Sequence, residues 1–370
     1  MRRAGDPMSA CLNAGDALAM TGMVNTARPR PADRTAMTDH RKPSAPFPVL
    51  RGDARPDPAL AGAVVAIGNF DGVHRGHRAV IAAARARAAA LGRPAAALTF
   101  EPHPRSFFRP DEPLFRLTDE RAKLRLLAAT GLDGAIVLRF DAALAGLSAE
   151  RFVSDILVGQ LSVAGVAIGF DFHFGLKRAG SPDYLAAQGA SRGFAVDVVP
   201  RFEDDGRPVR SGPIRAALAG GHVTEANELL GYPWFVSAEV VHGDKRGRSL
   251  GYPTANLRLD PACGLAHGIY AVRVGSDRAF GARRYDGVAS FGRRPMFDQG
   301  SVLLEVFLFD FSGDLYGEMI DVAFIDWIRP ELNFASVEDL VRRMDEDSRL
   351  ARATLARAGD AFPKLGAVAG

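Results

Sequence analysis

The chain is poor in cysteine, with only Cys11 and Cys263 among 370 residues. These two lie far apart and have no neighbouring Cys or His partners, so neither a disulfide framework nor a zinc site is indicated. No run of 18 apolar residues occurs, although 47% of the chain is hydrophobic. We therefore expect no membrane-spanning helix and a protein of the reducing cytoplasm.

A basic excess is also missing from most of the chain. The formal charge is +3, and residues 1–46 hold seven Arg or Lys against four Asp. The rest of the sequence is therefore neutral overall, which argues against nucleic acid as a partner.

The segment 1–46 lacks Phe, Trp and Tyr and holds five of the eight methionines. It has no apolar core of a secretory signal, and its four aspartates argue against a transit peptide. We interpret it as a disordered extension, or as the result of a start assigned upstream of an internal methionine such as Met37.

Two patterns of periodicity follow. From Phe47 to about Arg215, short β-rich runs alternate with helical ones, which predicts an α/β fold with a mainly parallel sheet and helices on both faces. After Pro233, strand-like runs separated by Gly, Asp and Ser turns predict five or six antiparallel strands in a small barrel, followed by a helix over 336–357. We predict domains at 47–218 and 233–362, joined by a linker helix at 219–232.

The phrase "GNFDGVHRGH" at 68–77 stands between an apolar strand and an alanine-rich helix. A glycine-bearing turn before a helix presents free backbone N–H groups and the positive end of the helix dipole, which favour phosphate. Gly76 allows close backbone approach, and His74 and His77 can donate hydrogen bonds to phosphoryl oxygens. Such a site suits nucleotidyl transfer, in which one substrate phosphate attacks another without a protein nucleophile.

The alternative for this histidine pair is a surface or helix-capping role. The strand, the glycines and the lead-in Asn69-Phe70-Asp71 together favour the phosphate site.

A second signal lies in "HGDKRGRSLGYPTANLRL", residues 242–259. Thr254 and Asn256 are two apart at the start of a predicted strand and so share one face. Their oxygens could complete the shell of Mg²⁺ bound to ATP phosphates, and the glycine-rich stretch before them could wrap a nucleotide. Hydrogen bonding to the local backbone is the alternative role for Thr and Asn in a turn.

Glu305 interrupts the apolar run "SVLLEVFLFDF". A carboxylate facing a barrel interior would be costly without a task, and there it could take the proton from a hydroxyl that attacks the γ-phosphate. On an edge strand facing water it would be only a solvated residue. The spacing leaves both alternatives open.

These phrases resemble, in order, the motifs of the bifunctional bacterial riboflavin kinase/FAD synthetases. "GNFDGVHRGH" is similar to their H-x-G-H adenylyltransferase signature, and it is followed by "TFEPHPR", "GFDFHFG" and "SGPIR". "GYPTANL", "GIYAVRV", "LEVFLFDFSGDLYG" and "WIRPELNFASVEDL" are similar to consecutive signatures of the kinase domain. The resemblance implies phosphorylation of riboflavin to FMN, then adenylylation of FMN by ATP, with Mg²⁺ as the metal. The expected partners are riboflavin, FMN and ATP, without nucleic acid or membrane, and the oligomeric state is left open.

The resemblance also implies roles for particular residues. It makes His74 and His77 the groups that hold the ATP phosphates, and Glu305 the base for the ribityl hydroxyl. Contacts with ATP in the adenylyltransferase fall to Gly68, Asn69, Phe70, Asp71, Gly76, Ser211 and Arg215. Contacts with the flavin fall to Pro102, His103, Pro104, Asp171 and Arg329. Contacts with Mg-ATP in the kinase fall to Gly247, Gly251, Pro253, Thr254 and Asn256, of which Thr254 and Asn256 would ligate the metal.

One departure from the family pattern concerns the helix start "RSGPIR" at 210–215, where the family usually has SST-x-IR. The change removes two possible hydroxyl donors to phosphate, although Pro213 suits a first helical turn and Arg210 could replace part of the contact. Two alternatives therefore remain: a riboflavin kinase with an impaired adenylyltransferase domain, and a flavin-binding regulator without catalysis. The intact His74/His77 pair and Glu305 count against the regulator.

Overall fold

The computed structural model describes residues 46–52, 58–243, 247, 250–293 and 302–369. They belong to one compact unit, 45–370. The predicted extension, apart from its last residue, lies outside the described residues. The same holds for much of the glycine-rich stretch before "YPTAN". The predicted boundaries at 218 and 233 stay predictions.

Six strands form the first sheet, and all of its pairings are parallel. They are β1 (Val49–Arg51), β2 (Val64–Ile67), β3 (Ala95–Glu101), β4 (Gly134–Arg139), β5 (Gly165–Gly169) and β6 (Ala195–Val199). Their order is β1-β4-β3-β2-β5-β6, so the chain reverses its direction of winding between β2 and β5. Val64 and Ala66 of β2 pack into one core, and Val65 and Ile67 into another on the opposite face. Both faces are therefore covered, which confirms the predicted α/β fold.

Eight α-helices lie in this part of the described chain, besides short 3₁₀ helices at Pro58–Leu60 and Leu176–Arg178. They are α1 (Arg75–Leu91), α2 (Pro104–Phe108), α3 (Glu120–Ala128), α4 (Ala142–Ala145), α5 (Ala149–Arg151), α6 (Pro182–Arg192), α7 (Ser211–Ala219) and α8 (Val223–Leu230). A π-helical segment, Phe152–Gln160, continues α5, and a short hairpin joins β7 (Glu203–Asp204) to β8 (Arg207–Pro208). Helix α6 was not predicted, although Ser181 caps its start and Gly193 ends it with φ 82°, which are ordinary start and stop signals.

The second part is a closed antiparallel barrel of six strands. They are β9 (Phe235–Val241), β10 (Ala255–Leu259), β11 (Gly268–Gly275), β12 (Arg284–Arg293), β13 (Val302–Leu308) and β14 (Met319–Pro330). Their order around the barrel is β10-β13-β12-β11-β14-β9. Helix α9 (Val337–Arg357) follows. The predicted barrel and its terminal helix are confirmed.

Alternation along β13 separates the two faces of the barrel wall. Leu304 and Val306 are buried in the interior, whereas Phe307 packs with Ala351 and Leu355 of α9 on the outside. Because neighbouring residues of a strand point to opposite faces, Glu305 shares the outer face with Phe307.

Candidate active sites

A cavity of about 990 Å³ opens at the carboxyl ends of the parallel strands. This is the edge where ligands bind in open α/β sheets, and the cavity touches both sides of the reversal between β2 and β5. Ten of the predicted site residues line it: Gly68, Asn69, Phe70, His74, Gly76, His77, His103, Pro104, Asp171 and Ser211. A volume of this size can hold a nucleotide together with a flavin.

The two histidines of the opening motif stack on each other at the start of α1. Their ring centroids are 3.6 Å apart, and Phe70 meets His77 edge-on at 5.3 Å. His74 caps the helix, because its Nδ1 accepts a hydrogen bond from the backbone N–H of His77 at 3.2 Å. A neutral ring with Nδ1 as acceptor carries its proton on Nε2, so His74 is a donor through Nε2. His74 can therefore cap the helix through Nδ1 and still donate to a phosphate through Nε2, so the two roles considered for it are compatible.

His103 repeats this arrangement at the start of α2. Its Nδ1 accepts from the backbone N–H of Arg105 at 3.1 Å, which leaves Nε2 as the donor. Burial lowers the pKa of His103 to about 4, although Asp71 opposes the shift. The cavity thus contains at least two neutral imidazoles with their donor nitrogen assigned.

Burial also lowers the pKa of His74 to about 4 and that of His77 well below its ordinary value. For His74, Asp71 opposes the shift and Arg215 adds to it. Both rings are therefore uncharged at neutral pH and act on a ligand as hydrogen-bond donors rather than as cations.

This burial predicts that the free energy of unfolding falls as the pH drops. Between about pH 6.5 and pH 4 the unfolded chain binds protons at these histidines and the folded chain does not, so stability rises with pH in that window. For His74 alone, lowering the pH from 7 to 5 should remove about 2 kcal/mol. Denaturant unfolding at the two pH values should show a smaller drop for His74→Asn, which keeps a capping acceptor but does not titrate. Equal drops in both proteins would contradict the assignment.

The turn between β2 and α1 has an unusual backbone. Phe70, Gly72 and Val73 all have positive φ, at 50°, 81° and 36°. Such conformations cost about 1–3 kcal/mol each in residues other than glycine, and they persist only where surrounding contacts hold them. At Gly72 the positive φ favours glycine, and a Cβ there would also lie 2.9 Å from the Leu117 side chain, which would have to move.

Asp71 and Arg215 form an ion pair in which the Asp71 side chain is buried. Arg215 Nη2 is 2.5 Å from Asp71 Oδ2, and Arg215 Nε donates to the Phe115 carbonyl at 2.6 Å. Asp71 also accepts from the backbone N–H of Thr118 at 3.1 Å. Neither Asp71 nor Arg215 is among the described residues that line the cavity, so the structure gives no direct contact between them and a ligand in the cavity. Their predicted contacts with ATP stay predictions.

The altered helix start "RSGPIR" keeps one of its hydroxyls at the cavity. Ser211 lines the cavity, and its Oγ donates to the Asp71 carbonyl at 3.2 Å. Arg210 also lines it and approaches Asp171 at 4.0 Å. A Cβ on Gly212 would meet no atom within 4 Å, so the missing side chain there leaves open space.

Several cavity residues were missed by the motif analysis. Lys177 and Arg178 line the cavity and have positive φ, at 55° and 60°. The basic pair directly after "GFDFHFG" is the signal that could have found them. Lys123 of α3 is not one of the residues that line the cavity, but its role was missed as well. It is buried, donates to the Asn69 carbonyl at 3.4 Å and lies 2.6 Å from Glu101. A lysine on a regular amphipathic helix gives no sequence signal of such a role.

The predicted kinase residues lie in one row across the outer wall of the barrel. Asn256 of β10 pairs with Glu305 of β13, and Glu305 pairs with Ser290 of β12. The row continues through Ile269 of β11 to Arg329 of β14. Directly paired residues point to the same face, and each strand step is about 5 Å, so Glu305 lies between Asn256 and Arg329. The sequence could not show this register, because the five strands are distant in the chain.

Glu305 is half-buried on this outer face. Glu305 therefore faces neither the barrel interior nor water on an edge strand, the two placements that were considered. The barrel interior is filled by residues such as Leu304 and Val306, and a closed barrel has no edge strand. The carboxylate instead stands in a wall of mixed polarity, beside an amide and a hydroxyl.

The "GYPTAN" segment is held in a tight turn ahead of β10. The Gly247 carbonyl accepts from the Tyr252 N–H at 2.8 Å, and Gly251 has φ 83°. A Cβ on Gly247 would lie 2.3 Å from the Tyr252 carbonyl oxygen. The Asn256 amide is buried and its Nδ2 donates to the Thr254 carbonyl at 3.3 Å. The predicted residues Gly247, Gly251, Pro253, Thr254 and Asn256 thus belong to one local unit.

Arg329 has a structural partner in α9. Its guanidinium is buried and lies 2.5 Å from Asp347, with a further bond to the Pro330 carbonyl. The Arg329–Asp347 ion pair therefore joins α9 to strand β14, where the row of predicted kinase residues ends. The predicted contact of Arg329 with the flavin stays a prediction.

Comparison with known proteins adds a finding for each half of the described fold. Residues 57–212 match the family model for FAD synthetase, and residues 230–355 match that for riboflavin kinase. A bifunctional riboflavin kinase/FMN adenylyltransferase of Pseudomonas fluorescens is 41% identical over 83% of this chain and 98% of its own length. The protein of the same name from Escherichia coli K12 is 40% identical over 79% of this chain and 92% of its own.

One solved structure supports the fold. A Streptococcus pneumoniae protein described as a macrolide-efflux protein is 31% identical, with a TM-score of 0.72 over 82% of this chain and 98% of that one. Among the described residues of the present chain, no helix is both long and apolar enough to cross a membrane.

Proposed function

Because the chain belongs to the family of bifunctional riboflavin kinases/FMN adenylyltransferases, we propose that it converts riboflavin to FMN and FMN to FAD, using one ATP in each step. The observation that carries the second activity is the stacked His74/His77 pair at a helix start inside a cavity large enough for both substrates. The first activity rests on the row from Asn256 through Glu305 to Arg329.

In the kinase step the riboflavin 5′-hydroxyl attacks the γ-phosphorus of ATP, and ADP leaves. Glu305 takes the proton of that hydroxyl, since a half-buried carboxylate beside the nucleotide segment is placed for general-base catalysis. Asn256 and Thr254 lie on the nucleotide side of Glu305, and Arg329 on the flavin side.

We assign Mg²⁺ to Thr254 and Asn256. The described residues contain no group of three or more His, Cys, Asp or Glu that could hold a metal. The hydroxyl of Thr254 and the amide oxygen of Asn256 suit a magnesium ion that is bound mainly through nucleotide phosphates and water, to which the protein adds one or two oxygens. With the Asn256 amide nitrogen engaged by the Thr254 carbonyl, its Oδ1 is the end that would serve as a ligand. The ion would supply charge neutralisation on the phosphates.

In the adenylylation step a phosphate oxygen of FMN attacks the α-phosphorus of ATP, and pyrophosphate leaves. Nε2 of His74 and the ring N–H of His77 stabilise the phosphoryl charge that grows in the transition state. Ser211, Gly76, His103 and Asp171 line the same cavity. We assign Ser211 and the backbone at Gly76 to the phosphates, and His103 and Asp171 to the flavin. We place the enzyme in the cytoplasm, with small molecules as its only partners in these reactions.

Incubation of the purified chain with riboflavin, ATP and Mg²⁺, with the flavins separated over time, tests the proposal. We expect FMN to appear first and then to decline as FAD accumulates. FMN without FAD, even when FMN and ATP are added directly, would leave only a riboflavin kinase and would mean that "RSGPIR" disables the first site. No riboflavin-dependent consumption of ATP would favour the flavin-binding regulator.

A further inference from the structure

The strained turn before α1 is held from outside by side chains that bond its carbonyl oxygens. Four carbonyls of the turn 69–73 accept such bonds, and a fifth, that of Phe70, accepts from the Val73 N–H within the turn. The donors are Thr99 and Lys123 to Asn69, Ser211 to Asp71, Tyr232 to Gly72, and Arg78 to Val73. With its acceptors engaged, the turn keeps one conformation and directs the start of α1, with His74 and His77, at the cavity.

Tyr232 makes the shortest of these bonds. Its hydroxyl lies 2.5 Å from the Gly72 carbonyl oxygen, and both groups are buried. The Arg78 guanidinium, which holds the next carbonyl, covers the Tyr232 ring at 5.2 Å. Burial raises the pKa of the Tyr232 hydroxyl, so it remains a protonated donor over the whole working pH range. Gly72 is the glycine of the turn with positive φ, where any other residue would be strained, and this bond holds its carbonyl.

Tyr232 lies between the last helix of the first part, α8, and the first strand of the barrel, β9. It follows α8 and precedes Trp234, whose Nε1 donates to the Leu117 carbonyl at 2.8 Å. Its ring packs near Phe235, the first residue of barrel strand β9. Tyr232 therefore lies inside the region that matches riboflavin kinase, 230–355, yet its polar group serves the region that matches FAD synthetase, 57–212.

We propose that Tyr232 is a positioning residue for FMN adenylylation, which acts by holding the Gly72 carbonyl and thereby the placement of His74 and His77. The inference rests on the proposed function, since it requires that the cavity makes FAD. It also implies that the entrance of the barrel supports the adenylyltransferase site, so the two activities are not carried by structurally separate parts.

Tyr232→Phe tests the proposal, because it removes only the hydroxyl and keeps the ring between Arg78 and Phe235. With FMN and ATP supplied, we expect kcat for FAD formation to fall about tenfold, as for a lost hydrogen bond that fixes catalytic geometry. The KM for FMN should stay the same, because His103 and Asp171, the residues proposed to border the flavin, lie outside the turn 69–73. Riboflavin phosphorylation should be unchanged.

Tyr270→Phe is the matched control. Tyr270 is also a buried tyrosine whose hydroxyl donates to a backbone carbonyl, that of Ala266, but it lies within the barrel. Tyr270→Phe should lower the unfolding midpoint about as much as Tyr232→Phe does. It should leave FAD formation from FMN unchanged.

The results distinguish a failure of the positioning role of Tyr232 from a failure of the proposed adenylyltransferase function. Unchanged FAD formation in Tyr232→Phe, or an equal loss in Tyr270→Phe, would overturn the positioning role, the second by showing a general effect of stability. A loss of riboflavin phosphorylation in Tyr232→Phe equal to that of adenylylation would overturn it too. If the wild-type chain itself made no FAD, the adenylyltransferase function would fail first, and the inference with it.

Discussion

His77→Ala is expected to abolish nearly all FAD formation while leaving FMN formation intact. His77 is a neutral, partly buried ring stacked on His74 at the start of α1. In the proposed reaction its N–H donates where phosphoryl charge grows. Removing one preorganised donor of this kind lowers kcat by about 10²- to 10³-fold. Separation of flavins from reactions with riboflavin or with FMN, each with ATP, measures both activities in the same protein.

His222→Ala is a suitable control for that variant. His222 is exposed at the start of α8 and makes no side-chain capping bond there. Both activities should survive its loss. FAD formation at the wild-type rate in His77→Ala would remove the histidine pair from catalysis, and loss of both activities would show that the two sites are not separate.

Glu305→Gln is expected to give the opposite pattern: riboflavin phosphorylation falls, and adenylylation of supplied FMN continues. The substitution keeps the size of the side chain in the row between Asn256 and Ser290 but removes the basic oxygen. Loss of a general base lowers the rate by about 10²- to 10⁴-fold. Initial rates of FMN formation from riboflavin, and of FAD formation from FMN, give the two values.

The matched control is Glu338→Gln, an exposed glutamate in the first turn of α9. There the change removes only a weak interaction with the helix dipole, so both activities should stay close to wild type. A Glu305→Gln protein that phosphorylates riboflavin normally would assign the base to another group. One that fails in both steps would point to a folding defect, which the unfolding midpoint would reveal.

The histidine motif could be predicted from the sequence because its parts are contiguous. A strand, a glycine turn and a helix start follow one another within residues 64–77, and local geometry alone brings the donors to the helix end. The contact between Thr254 and Asn256 is local for the same reason, since the two are separated by one residue at the start of β10; their shared face stays a prediction. The α/β and barrel classes were also predictable from local patterns. Helical and strand-like runs of apolar residues alternate in the first part of the chain, whereas strand-like runs dominate the second.

The direction of Arg215 could not be predicted in this way. Its motif suggested a contact with phosphate, but in the folded chain it meets Asp71 and the Phe115 carbonyl, 144 and 100 residues away. A guanidinium bonds whichever acceptors packing brings near it, and sequence spacing does not show which these are. Glu305 was uncertain for the same reason, since its face depends on the register between strands.

The sequence by itself determined the elements, their classes and the chemical groups offered at each motif, because helix and strand periods and turn chemistry act over a few residues. The tertiary structure decided which of these groups meet. It aligned Asn256, Glu305 and Arg329 along one barrel wall, buried the histidines so that their pKa values fall, and brought the Tyr232 hydroxyl to the Gly72 carbonyl across 160 residues. Such contacts depend on how whole elements pack, and no local pattern carries that information.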